Sequence, residues 1–208
     1  MPRPAYDHVQ EALLEACSDL FLSVGIRDTE MQQIATRAGI SRSTLYRYIT
    51  DKAQLVFMVA TDLMFRTTNR CLACAMDPEQ NGYEKLKRFS HVLAREVNNN
   101  PGFIRFLSEL ELLYGKGPLD TPEARMYTEG MVKLIHREAQ FLFEGMADGS
   151  IRSMEDPMGF ISMLIHTVYG LSKCTIMGGL FTGAAYAVAT IDDIDRTLDI
   201  LMESVQAG

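Results

Sequence analysis

Two guanidiniums, a set of hydroxyls and a lysine fall close together in the first quarter of this chain: Arg42, Ser43, Thr44, Arg47 and Tyr48, followed by Lys52. Guanidiniums grip guanine edges or phosphates, and hydroxyls donate to phosphate oxygens, so the group has the chemistry of DNA contact. Tyr46 stands among these residues and suits either packing or contact. Gln32, on the short helix before this stretch, could reach a base or a phosphate. Any one of these side chains alone would read as part of a solvated helix face. Their grouping on a short stretch gives them weight.

The elements that position them follow from the run TEMQQIATRAGISRSTLYRYITDKAQL, residues Thr29 to Leu55. Ile34, Ala35 and Ala38 share one face of a first short helix, and Ala35 is small enough for a second helix to cross close by. Gly39 supplies the turn. Ile40 and Leu45 pack back on that face, which turns Arg42, Ser43, Thr44, Arg47 and Tyr48 outward. The pattern is a helix-turn-helix. Asp28 or Thr29 is expected to cap its first helix and Ser41 its second. From Ser41 to Arg47 the second helix is about 10 Å long at 1.5 Å per residue, so it presents only a few side chains to a groove. Before the motif, Val9, Leu13, Leu14, Cys17, Leu20, Phe21 and Val24 form a 3.6-period stripe, and Gly25 ends that helix. After it, Asp51 begins a longer helix to about Met76, with Asp62, Arg66 and Arg70 as a solvated edge.

The whole chain has 208 residues and a net charge of −7. That balance excludes a protein that coats nucleic acid by bulk attraction, but not a local basic element. The segment from Glu30 to Lys52 carries Arg37, Arg42, Arg47 and Lys52 against Glu30 and Asp51. No basic-apolar signal opens the chain, and a cytoplasmic protein is expected. Cys17, Cys71, Cys74 and Cys174 sit in apolar contexts and suit reduced core thiols. Cys71-x-x-Cys74 has no second ligand pair at zinc spacing, so no metal and no cofactor are expected. The uncharged stretch from Cys174 to Ile191 is broken by Gly178, Gly179 and Gly183, which argues against a membrane span.

The remainder reads as helices only: about Tyr83–Val97, Phe103–Tyr114, Thr121–Gly145 and Pro157–Met177, then a last one capped by Thr190. Pro157–Met177 is apolar nearly all round, as expected for an element buried on more than one side. On it, Ser162, His166 and Lys173 make a polar stripe. His166 is a candidate handle for an effector, or a residue of a subunit interface. Glu109, Glu111 and Arg105 are expected as surface charges. Abundant Phe and Met in this part suit an adaptable, largely apolar cavity. The fold class expected is all-α with about nine helices.

The run Thr29…Ile34-Ala35…Ala38-Gly39-Ile40-Ser41…Thr44-Leu45-Tyr46-Arg47-Tyr48…Lys52…Leu55 resembles the DNA-binding signature of tetracycline-repressor-like (TetR family) transcriptional regulators. Departures are Ile49 for the usual phenylalanine, Ala53 for an acidic residue, Ser43 for glycine and Glu30 for a second threonine. The resemblance implies a DNA-binding domain over residues 1–52, a connector helix from about 51, and an effector-binding and dimerisation domain over 53–208. It implies that Tyr48 and Lys52 contact phosphate, with Thr29 and Thr44 as supporting hydroxyls. It further implies a homodimer through the last two long helices, reading a palindromic operator and answering to a small-molecule effector. The rival readings are an all-helical enzyme and an interaction module with a vestigial helix-turn-helix. ExxH pairs, HExxH, GxSxG and GxxxxGK[ST] are missing from the chain, and the basic and hydroxyl positions from Arg42 to Lys52 are intact.

Overall fold

The computed structural model describes residues 8–115, 121–178 and 190–208. Among them are ten helices: α1 His8–Ser23, α2 Met31–Arg37, α3 Arg42–Tyr48, α4 Lys52–Ala75, α5 Gly82–Asn98, α6 Pro101–Tyr114, α7 Pro122–Glu138, α8 Gln140–Asp148, α9 Pro157–Met177 and α10 Ile191–Glu203. The extra helix over the expected nine comes from Ala139, which separates α7 from α8 where one helix to Gly145 was expected. Helix α6 starts at Pro101 rather than Phe103, because proline at a first helical position lacks only an N–H that would have no partner there. The described residues hold no strand, only an isolated antiparallel bridge between Ile151 and Gln206. Most of the glycine-rich stretch around Gly179, Thr182 and Gly183, and most of the loop expected between Gly115 and Pro122, lie outside the described residues.

Packing groups the chain into two compact units, residues 1–65 with 105–131, and 66–104 with 132–208. In the first, Leu13, Leu14, Cys17 and Phe21 of α1, Ile34 and Ala35 of α2, Leu45 of α3 and Leu55, Val56, Val59 and Ala60 of α4 form one buried cluster. Phe106 and Leu110 of α6 belong to the same cluster, and the Phe106 ring stacks on Phe21 with centroids 6.1 Å apart. Phe57 meets Tyr114 and Tyr127 at 5.4 and 5.7 Å. Asp62, expected on a solvated edge, is buried.

In the second unit α5 is the central element, with Leu86, Phe89, Leu93, Ala94 and Val97 buried. Phe89 meets Phe141 of α8 edge-on at 6.4 Å, and Asn98 Nδ2 donates to Ser172 Oγ of α9 at 2.7 Å. His91 lies between two carboxylates of α10, 2.7 Å from Asp195 and 3.3 Å from Asp199. The α10 cap forms as its sequence requires: Thr190 Oγ1 accepts the Asp193 N–H, and Asp193 accepts the Thr190 N–H.

Helix α9 departs from expectation. It buries one line, Ile161, Leu164, Val168 and Ser172, whereas its composition suits burial on more than one side. Gly159, Met163, His166, Gly170, Cys174 and Met177 form an exposed line along it, with Met163 at 46% and Met177 at 52% exposure. Among the described residues nothing covers that apolar face. The helix is also long and apolar enough to cross a membrane by length and composition.

Glu138, at the end of α7, is a buried carboxyl that accepts a hydrogen bond from Thr68 Oγ1 at 3.0 Å. Burial pushes it up from an ordinary 4.5 to about 7, against the opposing pull of Thr68 and Arg137. A carboxyl that holds its proton longer folded than unfolded stabilises the fold below about pH 4.5. That contribution is lost as pH rises to about 7, roughly 3 kcal/mol in all at about 1.4 kcal/mol per pH unit. Glu138→Gln is therefore expected to gain on the parent protein in urea unfolding as pH rises from 5 to 8. Parallel pH curves for the two proteins would contradict this assignment.

Candidate nucleic-acid interface

Helix α3 is short, so its ends decide where its side chains point. Ser41 is its N-cap, as expected: its Oγ accepts the Thr44 N–H at 3.0 Å and lies 2.8 Å from the hydroxyls of both Ser43 and Thr44. The chain enters through Gly39, whose φ of +69° makes the turn between α2 and α3. Leu45 is fully buried, and this one anchor fixes the rotation of the helix. Arg42, Ser43, Tyr46 and Arg47 are exposed as a consequence, and Thr44 and Tyr48 are half-buried. Tyr48 packs against the core of the unit.

Tyr46, which the sequence leaves between packing and contact, is 45% exposed and carries the Arg42 guanidinium over its ring at 5.7 Å. A cation held over an aromatic face keeps its hydrogen-bonding edge free. Arg42 is thus partly ordered before it meets a partner. Arg47 lies on the last turn of α3 and is exposed.

Helix α2 begins one residue later than expected. Glu30, not Asp28 or Thr29, is its N-cap, and its N–H donates to Gln33 Oε1 at 2.8 Å. Gln32 is exposed beside Thr36, with Nε2 at 3.4 Å from that hydroxyl. Arg37 pairs with Asp19 of α1 at 2.5 Å on the surface. Thr29 requires a correction: it is 1% exposed and its hydroxyl donates to the Gly25 carbonyl at 2.6 Å, so that hydroxyl serves the turn before α2. Lys52 is half-buried, with Nζ donating to the Arg27 carbonyl at 3.1 Å. Burial holds its ammonium below the usual lysine range, partly offset by Glu109, Asp28 and Glu30.

Arg42, Ser43, Tyr46 and Arg47 are therefore brought to one exposed surface, with Gln32 exposed on α2 and Tyr48 and Lys52 half-buried. His166 is not in the interior of its unit. It lies on the exposed line of α9, with Nδ1 2.7 Å from the Ser162 carbonyl and 3.3 Å from the Ser162 hydroxyl. The four-residue spacing of that pair was legible in the sequence, and its placement is outward. No cluster of His, Cys, Asp or Glu suited to a metal occurs among the described residues. Cys17 and Cys71 are buried, as expected of core thiols, whereas Cys74 and Cys174 are exposed. Burial raises the thiols of Cys17 and Cys71 to about 12, which makes them poor nucleophiles.

Glu109 of α6 is the residue that sequence reasoning missed. Expected on the surface, it is half-buried, and its carboxylate accepts the backbone N–H of Ile26 at 2.5 Å and that of Arg27 at 3.2 Å. The positive φ of Gly25 was the only local hint that this turn is special.

With this geometry in place, comparison with known proteins identifies relatives. Residues 13–59 match the profile of a family described as bacterial regulatory proteins, tetR family. The chain is 25% identical over 169 residues to the "Uncharacterized HTH-type transcriptional regulator YdeS" of Bacillus subtilis (strain 168), which covers 81% of this chain and 78% of that protein. Among solved structures it is similar to the transcriptional regulator FadR of Bacillus subtilis in complex with stearoyl-CoA. That match has a TM-score of 0.68 and 17% identity over 95% of this chain and 100% of that one. It is also similar to a TetR-like transcriptional regulator of Rhodococcus sp. RHA1, with a TM-score of 0.59 and 20% identity over 98% and 96%. A third, from Saccharomonospora viridis, was solved in complex with choline and gives a TM-score of 0.70 at 18% identity over 95% and 97%.

Proposed function

We propose that this chain, whose residues 13–59 match the tetR family of bacterial regulatory proteins, is a cytoplasmic, homodimeric repressor that binds a palindromic operator and is released by a small-molecule effector. The observation that carries the reading is the exposed surface of α3. Arg42, Ser43, Tyr46 and Arg47 point away from a helix pinned by Leu45 and capped by Ser41. In this reading Arg42 and Arg47 contact base edges or phosphates, with Ser43 and Tyr46 beside them and Gln32 reaching in from α2. Tyr48, Thr44 and Lys52 contact phosphate, and Lys52 does so by turning its ammonium from the Arg27 carbonyl. The functional division is a DNA-binding part over residues 1–52 and an effector-binding and dimerisation part over 53–208.

The partner that covers the bare line of α9 is a second copy of this chain. A two-fold interface brings the same patch of each subunit together, so Met163, Gly170, Cys174 and His166 would each meet the partner's exposed line. Ile200 of α10, 65% exposed, would extend this interface. His166 is then an interface residue, which is the plainer of its two readings. In this reading α9 is long and apolar because it is a core helix of the dimer rather than of the monomer.

Stearoyl-CoA and choline, the ligands in two similar structures, differ in charge and size, so the effector class is left at a largely apolar small molecule. Release follows from linkage: an effector that binds the non-DNA arrangement more tightly by about 1–3 kcal/mol shifts the population away from DNA. The test is to let the full-length chain select fragments from its source genome. An inverted repeat with half-sites about 34–36 Å apart, or a multiple, is expected. Recovery of no fragment above background would count against the reading.

A further inference from the structure

Three hydroxyls meet where the exposed face of α3 begins, and their protons cannot all be placed alike. Ser41 Oγ accepts the Thr44 N–H at 3.0 Å and lies 2.8 Å from both Ser43 Oγ and Thr44 Oγ1. A serine hydroxyl has one proton and two lone pairs. The Thr44 N–H takes one lone pair of Ser41, which leaves that hydroxyl a proton to give and a lone pair to offer. It therefore donates to one neighbour and accepts from the other. The neighbour that donates to Ser41 has spent its proton and shows only lone pairs to the outside. The neighbour that accepts keeps its proton free for a partner beyond the protein.

Helical spacing separates the two neighbours. Ser43 shares a side of α3 with Arg47, a turn further on, and both are exposed; Thr44 shares a side with Tyr48, and both are half-buried. A phosphate oxygen only accepts hydrogen bonds, so a hydroxyl that meets phosphate must have its proton free. With Thr44 in that role the protons line up in one direction: Ser43 donates to Ser41, Ser41 to Thr44, and Thr44 to the phosphate. The reverse order would turn the lone pairs of Thr44 toward negative charge. A chain of hydroxyls that all donate toward an anion is polarised by it, and each bond strengthens the next.

We propose that Ser43, through this relay, meets the operator as a hydrogen-bond acceptor and selects a base that presents an exocyclic amino group, adenine or cytosine. In the major groove those two bases carry amino donors, whereas guanine and thymine offer only acceptors there. The proposal rests on the reading of the chain as a DNA-binding regulator in which α3 faces the groove and Thr44 the phosphate. Ser43 is then a source of sequence preference. A glycine at that position would have no side chain to express it.

The test uses the full-length chain and a duplex that it selects from a random-sequence library. Each adenine and cytosine of a half-site is replaced in turn by an analogue that lacks the amino group, and affinity is measured for the parent and for Ser43→Ala. At one position the replacement is expected to weaken the parent about fivefold and Ser43→Ala less than about twofold. Thr44→Val keeps the shape of the side chain but removes the end of the relay. It frees the Ser41 proton for Ser43 and is expected to reduce the discrimination to below about twofold. Equal losses for the parent and Ser43→Ala at every amino position overturn the proposal. So does a Ser43-dependent loss on removing a purine N7 or the exocyclic oxygen of guanine or thymine, because Ser43 would then be a donor. Undiminished discrimination in Thr44→Val overturns it as well. Should Thr44→Val fail to fold, the parent and Ser43→Ala decide alone. Arg47→Ala keeps the two readings apart: if it weakens binding while removal of amino groups is indifferent to Ser43, the DNA-binding reading stands and this proposal falls. If no duplex is selected at all, both fall.

Discussion

Met163→Glu is expected to convert the particle from a dimer to a monomer in sedimentation or light scattering, while the chain itself stays helical. Met163 is 46% exposed on the bare line of α9, so the substitution costs the isolated chain little. In a two-fold interface the same position occurs twice, and two carboxylates would then enter a largely apolar contact. Leaving charges buried and unpaired costs several kcal/mol, which corresponds to a loss of dimer affinity of a hundredfold or more, about 2.8 kcal/mol at about 1.4 per tenfold. DNA binding should weaken with it. Two linked reading heads exceed one by about 10²–10⁴ through effective concentration alone, and a monomer forfeits that gain. If Met163→Glu remained a dimer of parental affinity, the face assigned to the partner would be the wrong one.

Arg47→Ala is expected to weaken operator binding by roughly 1–3 kcal/mol per half-site, and Arg42→Ala by a similar amount. Their exposure means that neither substitution disturbs the core around Leu45, so circular dichroism and melting temperature should hardly change. The two are separable. An arginine on a base edge relaxes sequence preference at one position when removed, whereas an arginine on phosphate weakens all sequences alike and lowers the salt slope by about one. Arg42 is held over Tyr46, so Tyr46→Ala should reproduce part of the Arg42→Ala loss through a less ordered guanidinium. Titration by fluorescence anisotropy at several salt concentrations measures all of these. Unchanged affinity and slope in both arginine variants would remove α3 from the interface.

The parts of this account that were legible in the sequence are those encoded within a few residues. Gly39 at a turn, Ser41 as a cap, Leu45 inward and Arg42 and Arg47 outward all follow from one-turn spacing, and the structure places them so. What could not be read depends on neighbours distant in sequence. Glu109 lies 83 residues from Ile26, and a lone glutamate on an apolar helix carries no local mark of the backbone it will meet. Asp62 has the spacing of a surface ion pair with Arg66 yet is buried, because periodicity gives the face of a helix and not what covers it. Thr29 shows the same limit on a smaller scale, since a threonine before a helix suits a phosphate contact and a turn-closing hydroxyl equally well. For α9 the difficulty is reversed. Its composition points to burial on several sides, and the described residues cover only one of them.

In the proposed dimer, each molecule presents a pair of α3 reading heads to one face of DNA. Hydroxyl-radical footprinting of a fragment selected by the full-length protein tests it most directly. Two protected patches related by a dyad, with centres one helical turn of about 10–10.5 base pairs apart or a multiple of that, are predicted, and both should fade together in Arg47→Ala. A single patch without a dyad, or a footprint indifferent to Arg47, would contradict it.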